Sequence, residues 1–229
     1  MNDILGQAIH DHFYNNQPTK LWIHNQYGPK EEMPVDVFFR EREDMPELEL
    51  TALTECSGKV LDIGAGAGSH ALLLQQKGFD VTALDISALA VAVMQARGVT
   101  KALEADIFSY RQQGYDTLLL LMNGIGLTGS LPNLKTFLQH AKTLLKPGGQ
   151  LLFDSSDVAY LYEDGLPAGD KYYGELAYQY EYKKQRTDWF NWLYVDKKTL
   201  TGIAWAENFS VEILYEDEYD QFLARLRLK

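Results

Sequence analysis

Between residues 59 and 154 the hydrophobic pattern switches repeatedly between two periods. Apolar runs of strand length stand at 60–63, 79–85, 102–107 and 115–123, and a fifth begins at Gln150 and runs through Phe153. Between them, 69–77, 88–97 and 134–145 carry apolar residues three and four apart, the helical spacing. In the last of these, Leu134, Phe137, Leu138, Ala141, Leu144 and Leu145 share one face. Strand-length runs alternating with helical segments predict βαβ units and a parallel sheet. The run at 115–123 is apolar on both faces, as a central strand covered by helices must be. Lys146-Pro147-Gly148-Gly149 stops the third helix, since Gly and Pro follow a last turn.

Outside this stretch the pattern changes. Residues 197–207 read as a helix, and 209–215 and 219–228 as two strands, a C-terminal antiparallel hairpin. At the other end, Ile4, Ala8 and His12 recur at four-residue steps and suggest a helix, followed by weakly periodic sequence to Leu50. Segment 176–185 alternates in part and 187–195 is rich in aromatics, so added antiparallel strands are expected there. About 157–196 holds eight of the 14 tyrosines: Tyr160, Tyr162, Tyr172, Tyr173, Tyr178, Tyr180, Tyr182 and Tyr194. Such a segment is either an aromatic packing surface or dimer interface, or a lid over an apolar or aromatic substrate. The expected fold is α/β: a doubly wound, mostly parallel seven-stranded sheet ending in an antiparallel hairpin. An N-terminal helical cap (1–50) precedes a domain at 51–229, which carries the insertion at about 157–196.

The candidate chemistry is concentrated in Val60-Leu61-Asp62-Ile63-Gly64-Ala65-Gly66-Ala67-Gly68. An apolar strand ends in an acid and then three alternating glycines. Glycines let the backbone turn sharply and lie bare against a ligand, and the N-terminus of the following helix turns its N–H groups and positive dipole end toward the same place. A dinucleotide loop reads Gly-x-Gly-x-x-Gly to make room for a pyrophosphate. Here the third glycine comes one residue early, and Asp62 would repel a diphosphate but pair with an ammonium group.

With that acid-x-Gly-x-Gly-x-Gly after a strand, the chain resembles the class I S-adenosylmethionine-dependent methyltransferases. The resemblance covers roughly 59–154, with its motifs in the family's order and a Lys-Pro-Gly-Gly turn before the fifth strand. It implies S-adenosylmethionine as cofactor. Asp62 would hold the methionine end directly or through water, beside the backbone of Gly64, Ala65 and Gly66. Asp85, about 20 residues past the loop, stands where an acid accepts both ribose hydroxyls, and Ile86 would flank the adenine. Asp85 also competes for the role of helix cap, but Ser87 is the better cap and leaves Asp85 for the ribose. Asp106 would accept from the adenine amine, and the Ile107 backbone would reach a ring nitrogen. Asn123 and Gly124 would border the methyl group, although Gly124 and Gly126 equally fit a mobile turn.

The implied reaction is in-line displacement of a methyl group onto a small-molecule acceptor. His12, Tyr14 and His24 are the candidate bases, and Tyr14, Trp22, Arg40, Tyr160 and Tyr172 the candidate substrate contacts. Arg40 would meet a substrate carboxylate or pair with Glu41, Glu43 or Glu47. Two rivals remain: an NAD-dependent oxidoreductase, disfavoured by the early third glycine and Asp62, and a non-catalytic S-adenosylmethionine-binding protein. A methyltransferase acting on protein, with the insertion gripping a peptide, is a third reading.

Charge narrows the partners. The chain has 229 residues, 32 acids against 21 bases and a net charge of −11, which phosphate backbones repel. No basic run with interleaved aromatics offsets it, and 123–126 reads Asn-Gly-Ile-Gly instead of the (Asn/Asp)-Pro-Pro-Tyr of members that methylate base amines. Nucleic acid is therefore not the expected substrate. The apolar run at 118–122 is too short to cross a bilayer, and the N-terminus lacks the basic start and apolar stretch of a secretory signal. The single cysteine, Cys56, excludes an internal disulfide, suits a reducing compartment and sits at a predicted helix end in a small apolar role. A cytoplasmic location is expected. His10 and His12 have no carboxylate or cysteine at ligand spacing, so no metal is expected.

Overall fold

The computed structural model describes residues 3–15, 20–162, 165–167 and 171–229. In chain order it has α1 (Ile4–Asn15), β1 (Leu21–Asn25), β2 (Glu31–Met33), two 3-10 turns (Val35–Phe39 and Arg42–Asp44), α2 (Glu47–Glu55), β3 (Lys59–Ile63) and α3 (Ser69–Gln76). There follow β4 (Asp80–Asp85), α4 (Ala88–Arg97), β5 (Ala102–Glu104), β6 (Tyr115–Leu120), a 3-10 turn (Gly124–Thr128), α5 (Leu131–Leu144) and β7 (Leu145–Ser156). A 3-10 turn (Ala159–Leu161), β8 (Glu175–Tyr182), β9 (Gln185–Arg186), β10 (Phe190–Leu193), α6 (Lys197–Ala206), β11 (Phe209–Glu216) and β12 (Gln221–Leu228) complete it.

Seven strands form one sheet in the order β11-β12-β7-β6-β3-β4-β5. The β4–β5 and β6–β7 pairs are parallel, while β12 runs antiparallel to both β7 and β11. This is the α/β architecture the hydrophobic periods predict, with the C-terminal hairpin in place. The glycine loop follows β3, the strand at which the winding order reverses.

A second sheet is ordered β10-β8-β1-β2, with β9 on β8. Here the structure adds to the sequence reading. The N-terminal segment is a helix and two strands, and β1 pairs antiparallel with β8 of the insertion: Trp22↔Glu181, Ile23↔Tyr180, His24↔Gln179 and Asn25↔Tyr178. Partners so far apart in the chain leave no local signal. Three predicted strands also differ in extent. β5 stops at Glu104, because Asp106 turns the chain by accepting the Phe108 N–H at 3.0 Å. β6 stops at Leu120, ahead of the positive φ of Met122 and Asn123. β7 begins at Leu145 and carries Lys146–Gly149 as a bulge, its register to β6 stepping from Tyr115↔Leu145 to Thr117↔Gln150.

The chain divides into two compact units. The first comprises 1–45, 61–110 and 177–190. In it Ile4, Ala8 and Ile9 of α1 share a core with Leu21, Val35, Ala67, Val93 and Tyr182. Inside this unit the buried Asp11 carboxylate accepts from the Tyr182 hydroxyl (3.2 Å) and the Lys183 ammonium (2.6 Å). Burial alone would raise its pKa, but these two partners outweigh burial and hold it below the usual carboxylate range. The second unit comprises 46–60, 111–176 and 191–229. Its core includes Tyr115, Phe137, Phe153, Phe209 and Phe222, all fully buried. Cys56 is buried at the end of α2 and donates to the Ala52 carbonyl at 3.3 Å, the small internal role its position suggests.

Candidate functional site

In the first unit, Gly64, Gly66 and Gly68 have φ of +72°, +56° and +84°, backbone that side chains rarely adopt. The loop is stitched to the end of β4: the Gly64 and Ala65 N–H groups donate to the Leu84 carbonyl (2.8 and 3.1 Å), and the Gly66 N–H donates to Asp85 Oδ2 (2.9 Å). Its two faces differ. A Cβ at Gly66 would stand 3.2 Å from the Phe38 ring, so the N-terminal segment covers that side. A Cβ at Gly64 would meet nothing within 4 Å. The loop is open there.

Asp62 lies beneath the loop with 1% of its surface exposed. It accepts the Ala71 N–H, satisfying one of the orphan donors of the first turn of α3. Its Oδ2 is buried with no hydrogen-bond partner. Burial pushes its pKa up to about 6; the charge of Asp85 adds to this, while His70 and the Ala71 N–H oppose it. A buried carboxylate acceptor without a donor is costly and suits a cationic N–H group.

Asp85 closes the loop's other end. Its Oδ1 accepts the Ser87 N–H at 2.9 Å and its Oδ2 accepts Gly66. Ser87 does cap α4, its Oγ accepting the Ala90 N–H at 2.9 Å. The inference that capping by Ser87 leaves Asp85 free is corrected: an Asp two residues before an N-cap accepts the cap residue's own N–H in a local turn. Each carboxylate oxygen has a second lone pair, so acceptor capacity remains. Burial raises the pKa of Asp85, against the backbone donors of Ser87, Gly66 and Ile86. The neighbouring Ile86 side chain is 72% exposed. Asp106 is exposed, with Oδ1 engaged by Phe108, and Ile107 is buried.

The N-terminal candidates belong to the same unit. His12 stacks on Phe39 with ring centroids 4.7 Å apart. Tyr14 is exposed and packs on His10 and Phe13. The Lys20 and Lys30 ammonium groups lie over the Trp22 ring, at 5.6 and 4.5 Å from its centroid. His24 Nε2 is 2.8 Å from Glu181 Oε2, a carboxylate that also binds Lys30 and Arg186. Arg40 is half-buried, immediately after the turn that carries Phe38. Sequence reasoning gave no site role to Asp3, His70 and Arg97. Arg97 Nη1 donates to the Ala67 carbonyl (2.7 Å) and Ser69 Oγ (3.2 Å) while its guanidinium lies over Phe39 at 5.0 Å. Ser69 Oγ in turn donates to the Phe38 carbonyl at 2.8 Å. Only the adjacency of His70 to the glycine motif offered a signal; the other contacts are long-range.

In the second unit, Met122 and Asn123 follow β6 with φ of 60° and 55°. Two successive non-glycine residues in that region cost energy, and such strain gathers at functional sites. The Asn123 N–H donates to both oxygens of the buried Asp154, at 2.9 and 2.8 Å, and its carbonyl accepts from Trp192 Nε1 at 3.2 Å. Its Oδ1 is buried without a partner. Asp154 is pushed up to about 6 by burial, with Glu49 adding to the effect and Asn123 and Gln221 opposing it. Gly124 opens the 3-10 turn, and a Cβ on Gly126 would lie 1.9 Å from Trp192 Nε1. Tyr172 donates its hydroxyl proton to Asp196 Oδ2 (2.5 Å) and accepts the Asp196 N–H (2.9 Å), at the N-cap of α6. Tyr160 is exposed in the turn 159–161. Among the described residues, no group of three His, Cys, Asp or Glu is placed to hold a metal ion. No helix there is long and apolar enough to cross a membrane.

A methyltransferase domain family matches residues 38–213. The chain belongs to this methyltransferase family, and its fold and motif order define a class I, S-adenosylmethionine-dependent methyltransferase. It is similar to a crystal structure of an S-adenosylmethionine-dependent methyltransferase from Bacteroides fragilis in complex with S-adenosyl-L-homocysteine. Identity is 41%, with 99% of this chain and 94% of that one covered and a TM-score of 0.92. An S-adenosylmethionine-dependent methyltransferase from Clostridium acetobutylicum shares the fold at 13% identity, covering 82% and 94% of the two chains, TM-score 0.62. A curated relative, the ubiquinone biosynthesis O-methyltransferase of Azotobacter vinelandii, is 30% identical over 104 residues, which span 42% of this chain and 44% of that protein.

Proposed function

We propose that this protein transfers a methyl group from S-adenosylmethionine to a small-molecule acceptor, with the cofactor seated on the glycine loop of the first unit. The observation that carries the seat is Asp62 Oδ2, a buried acceptor without a donor beneath a loop that is open at Gly64. These features fit the cofactor's α-ammonium group. Asp85 takes the ribose hydroxyls with the lone pairs its backbone donors leave, and the exposed Ile86 side chain covers one face of the adenine. Asp106 and the Ile107 backbone take the adenine edge. Asn123 and Gly124 are assigned beside the methyl group on motif resemblance, supported by the strain at Asn123.

Held by Asp62, Asp85 and the glycine loop, the cofactor would supply a sulfonium-activated methyl carbon for in-line transfer to the acceptor's lone pair, with its sulfur departing as a neutral thioether. The chain's residues align the reactants, which is worth several kcal/mol. An acceptor that must lose a proton gives it to the His12 imidazole in the N-terminal segment. Tyr14 and Arg40 are the proposed acceptor contacts there; Tyr160 is a further candidate from the insertion, while Trp22, His24 and Tyr172 hold structural partners. The net charge of −11 favours a small molecule over nucleic acid, and the single, buried cysteine favours a cytoplasmic location.

Isothermal titration with S-adenosylhomocysteine and with NAD tests the seat. Binding of the first and not the second is expected. NAD binding without S-adenosylhomocysteine binding sinks the assignment.

A further inference from the structure

Asp85 does not stand alone. Its Oδ1 accepts the Ser87 N–H at 2.9 Å, and the Ser87 hydroxyl donates to Asp3 Oδ2 at 2.6 Å. Asp3 Oδ1 in turn accepts the Gly6 N–H at 2.9 Å and so caps α1. One unbroken chain of hydrogen bonds therefore runs from the first turn of α1 to the carboxylate at the tip of β4. The geometry is selective. Ser87 Oγ can donate only one proton; it gives that to Asp3 and accepts from Ala90 with a lone pair. The approach of α1 is so close that a Cβ on Gly6 would lie 2.1 Å from Ser87 Oγ and 2.4 Å from Asp3 Oδ2. Two helix N-termini converge on the Asp3 carboxylate, which complements the dipoles of both. The contact is anchored by the buried Ile4, Ala8, Ile9 and Val93 side chains.

We propose that Asp3, with Ser87 and Gly6, is a positioning residue for cofactor binding: docking of α1 sets the orientation of the Asp85 carboxylate toward the ribose hydroxyls. This rests on the reading of Asp85 as ribose acceptor. Asp3 touches no ligand itself. Its effect passes through the Ser87 N–H, whose direction follows the first turn of α4. By linkage the coupling is reciprocal, so an occupied ribose site also holds α1 in place.

The test compares S-adenosylhomocysteine with its 2′,3′-dideoxyribose counterpart by isothermal titration, on the unaltered protein and on Asp3→Ala, Gly6→Ala and Asp3→Asn, each checked by thermal melt. The unaltered protein is expected to prefer the ribose-bearing ligand. In Asp3→Ala and Gly6→Ala, affinity for that ligand should fall about fivefold or more, the lower range for coupled sites, while the dideoxy ligand changes by less than about twofold. Asp3→Asn, whose single amide oxygen still accepts the Gly6 N–H while its NH2 can donate to the second lone pair of Ser87 Oγ, should recover most of the loss. Equal losses for both ligands, or none, overturn the positioning role, because a general weakening of the fold does not discriminate the ribose. Equal affinity of the unaltered protein for the two ligands overturns the ribose assignment of Asp85, and this proposal with it.

Discussion

Replacing Asp62 by Asn should make the empty protein more stable and the cofactor complex weaker. Burial moves the Asp62 pKa from its ordinary 3.8 to about 6. At 1.36 kcal/mol per pH unit, holding the ionised group inside the fold at pH 7 costs about 3 kcal/mol. An amide carries no such charge and still offers one oxygen to the Ala71 N–H, while its NH2 replaces the partnerless Oδ2 and costs about 1–3 kcal/mol as a buried unpaired donor, so Asp62→Asn should raise the unfolding free energy at pH 7 by no more than about 2 kcal/mol. The same change removes a charge-assisted hydrogen bond to the ligand's ammonium group, about 1.5–3 kcal/mol, or roughly 10- to 100-fold in Kd for S-adenosylhomocysteine. A proton signature should accompany it. Near pH 6 about half of the Asp62 carboxyls are protonated in the empty protein, and the ammonium group selects the ionised form. Titrations in buffers of different ionisation enthalpy should therefore read release of about half a proton at pH 6, abolished in Asp62→Asn, with affinity rising as pH rises through 6. Affinity within about twofold of the unaltered protein, with proton release unchanged, refutes the reasoning.

Three further outcomes follow from the same geometry. Ile86→Ser should leave stability within about 0.5 kcal/mol, since the side chain is exposed, yet weaken S-adenosylhomocysteine roughly tenfold by removing the apolar surface the adenine would bury; titration and melts read the two effects separately. Gly64→Ala and Gly78→Ala, at φ of +72° and +87° with open space around each Cβ, should both lose about 1 kcal/mol, but only the first should weaken binding. Equal binding by both variants would show that the open face of the loop holds nothing. Asp62 and Asp154 both titrate at about 6 in the folded protein. Between the ordinary carboxylate value and 6 the folded state binds more protons than the unfolded one, so stability falls as pH rises through that window and the penalty is complete above it. Denaturant midpoints of the ligand-free protein should thus be higher near pH 5 than near pH 8; the reverse order refutes the burial argument.

Several features were legible without coordinates because they are local. Alternation of strand-length runs with helical spacing determined the α/β class, and the C-terminal pair of strands its antiparallel end. The three glycines and Asp62 marked the loop, since only glycine takes those φ values readily and only a strand tip presents such an acid. Capping chemistry located the start of α4 at Ser87.

Tertiary structure alone decided the rest, because contacts between distant residues have no period in the chain. It decided that the N-terminal segment and the tyrosine-rich insertion are hydrogen-bonded into one small sheet, and that Phe38 covers Gly66. It decided that His24 belongs to Glu181 and Tyr172 to Asp196. It decided, above all, which acids have their oxygens taken. Asp62 keeps a buried oxygen without a donor, and Asp85 is tied through Ser87 to Asp3. The sequence could name these carboxylates, but how much of each is left for a ligand depends on burial and on donors brought from elsewhere in the fold.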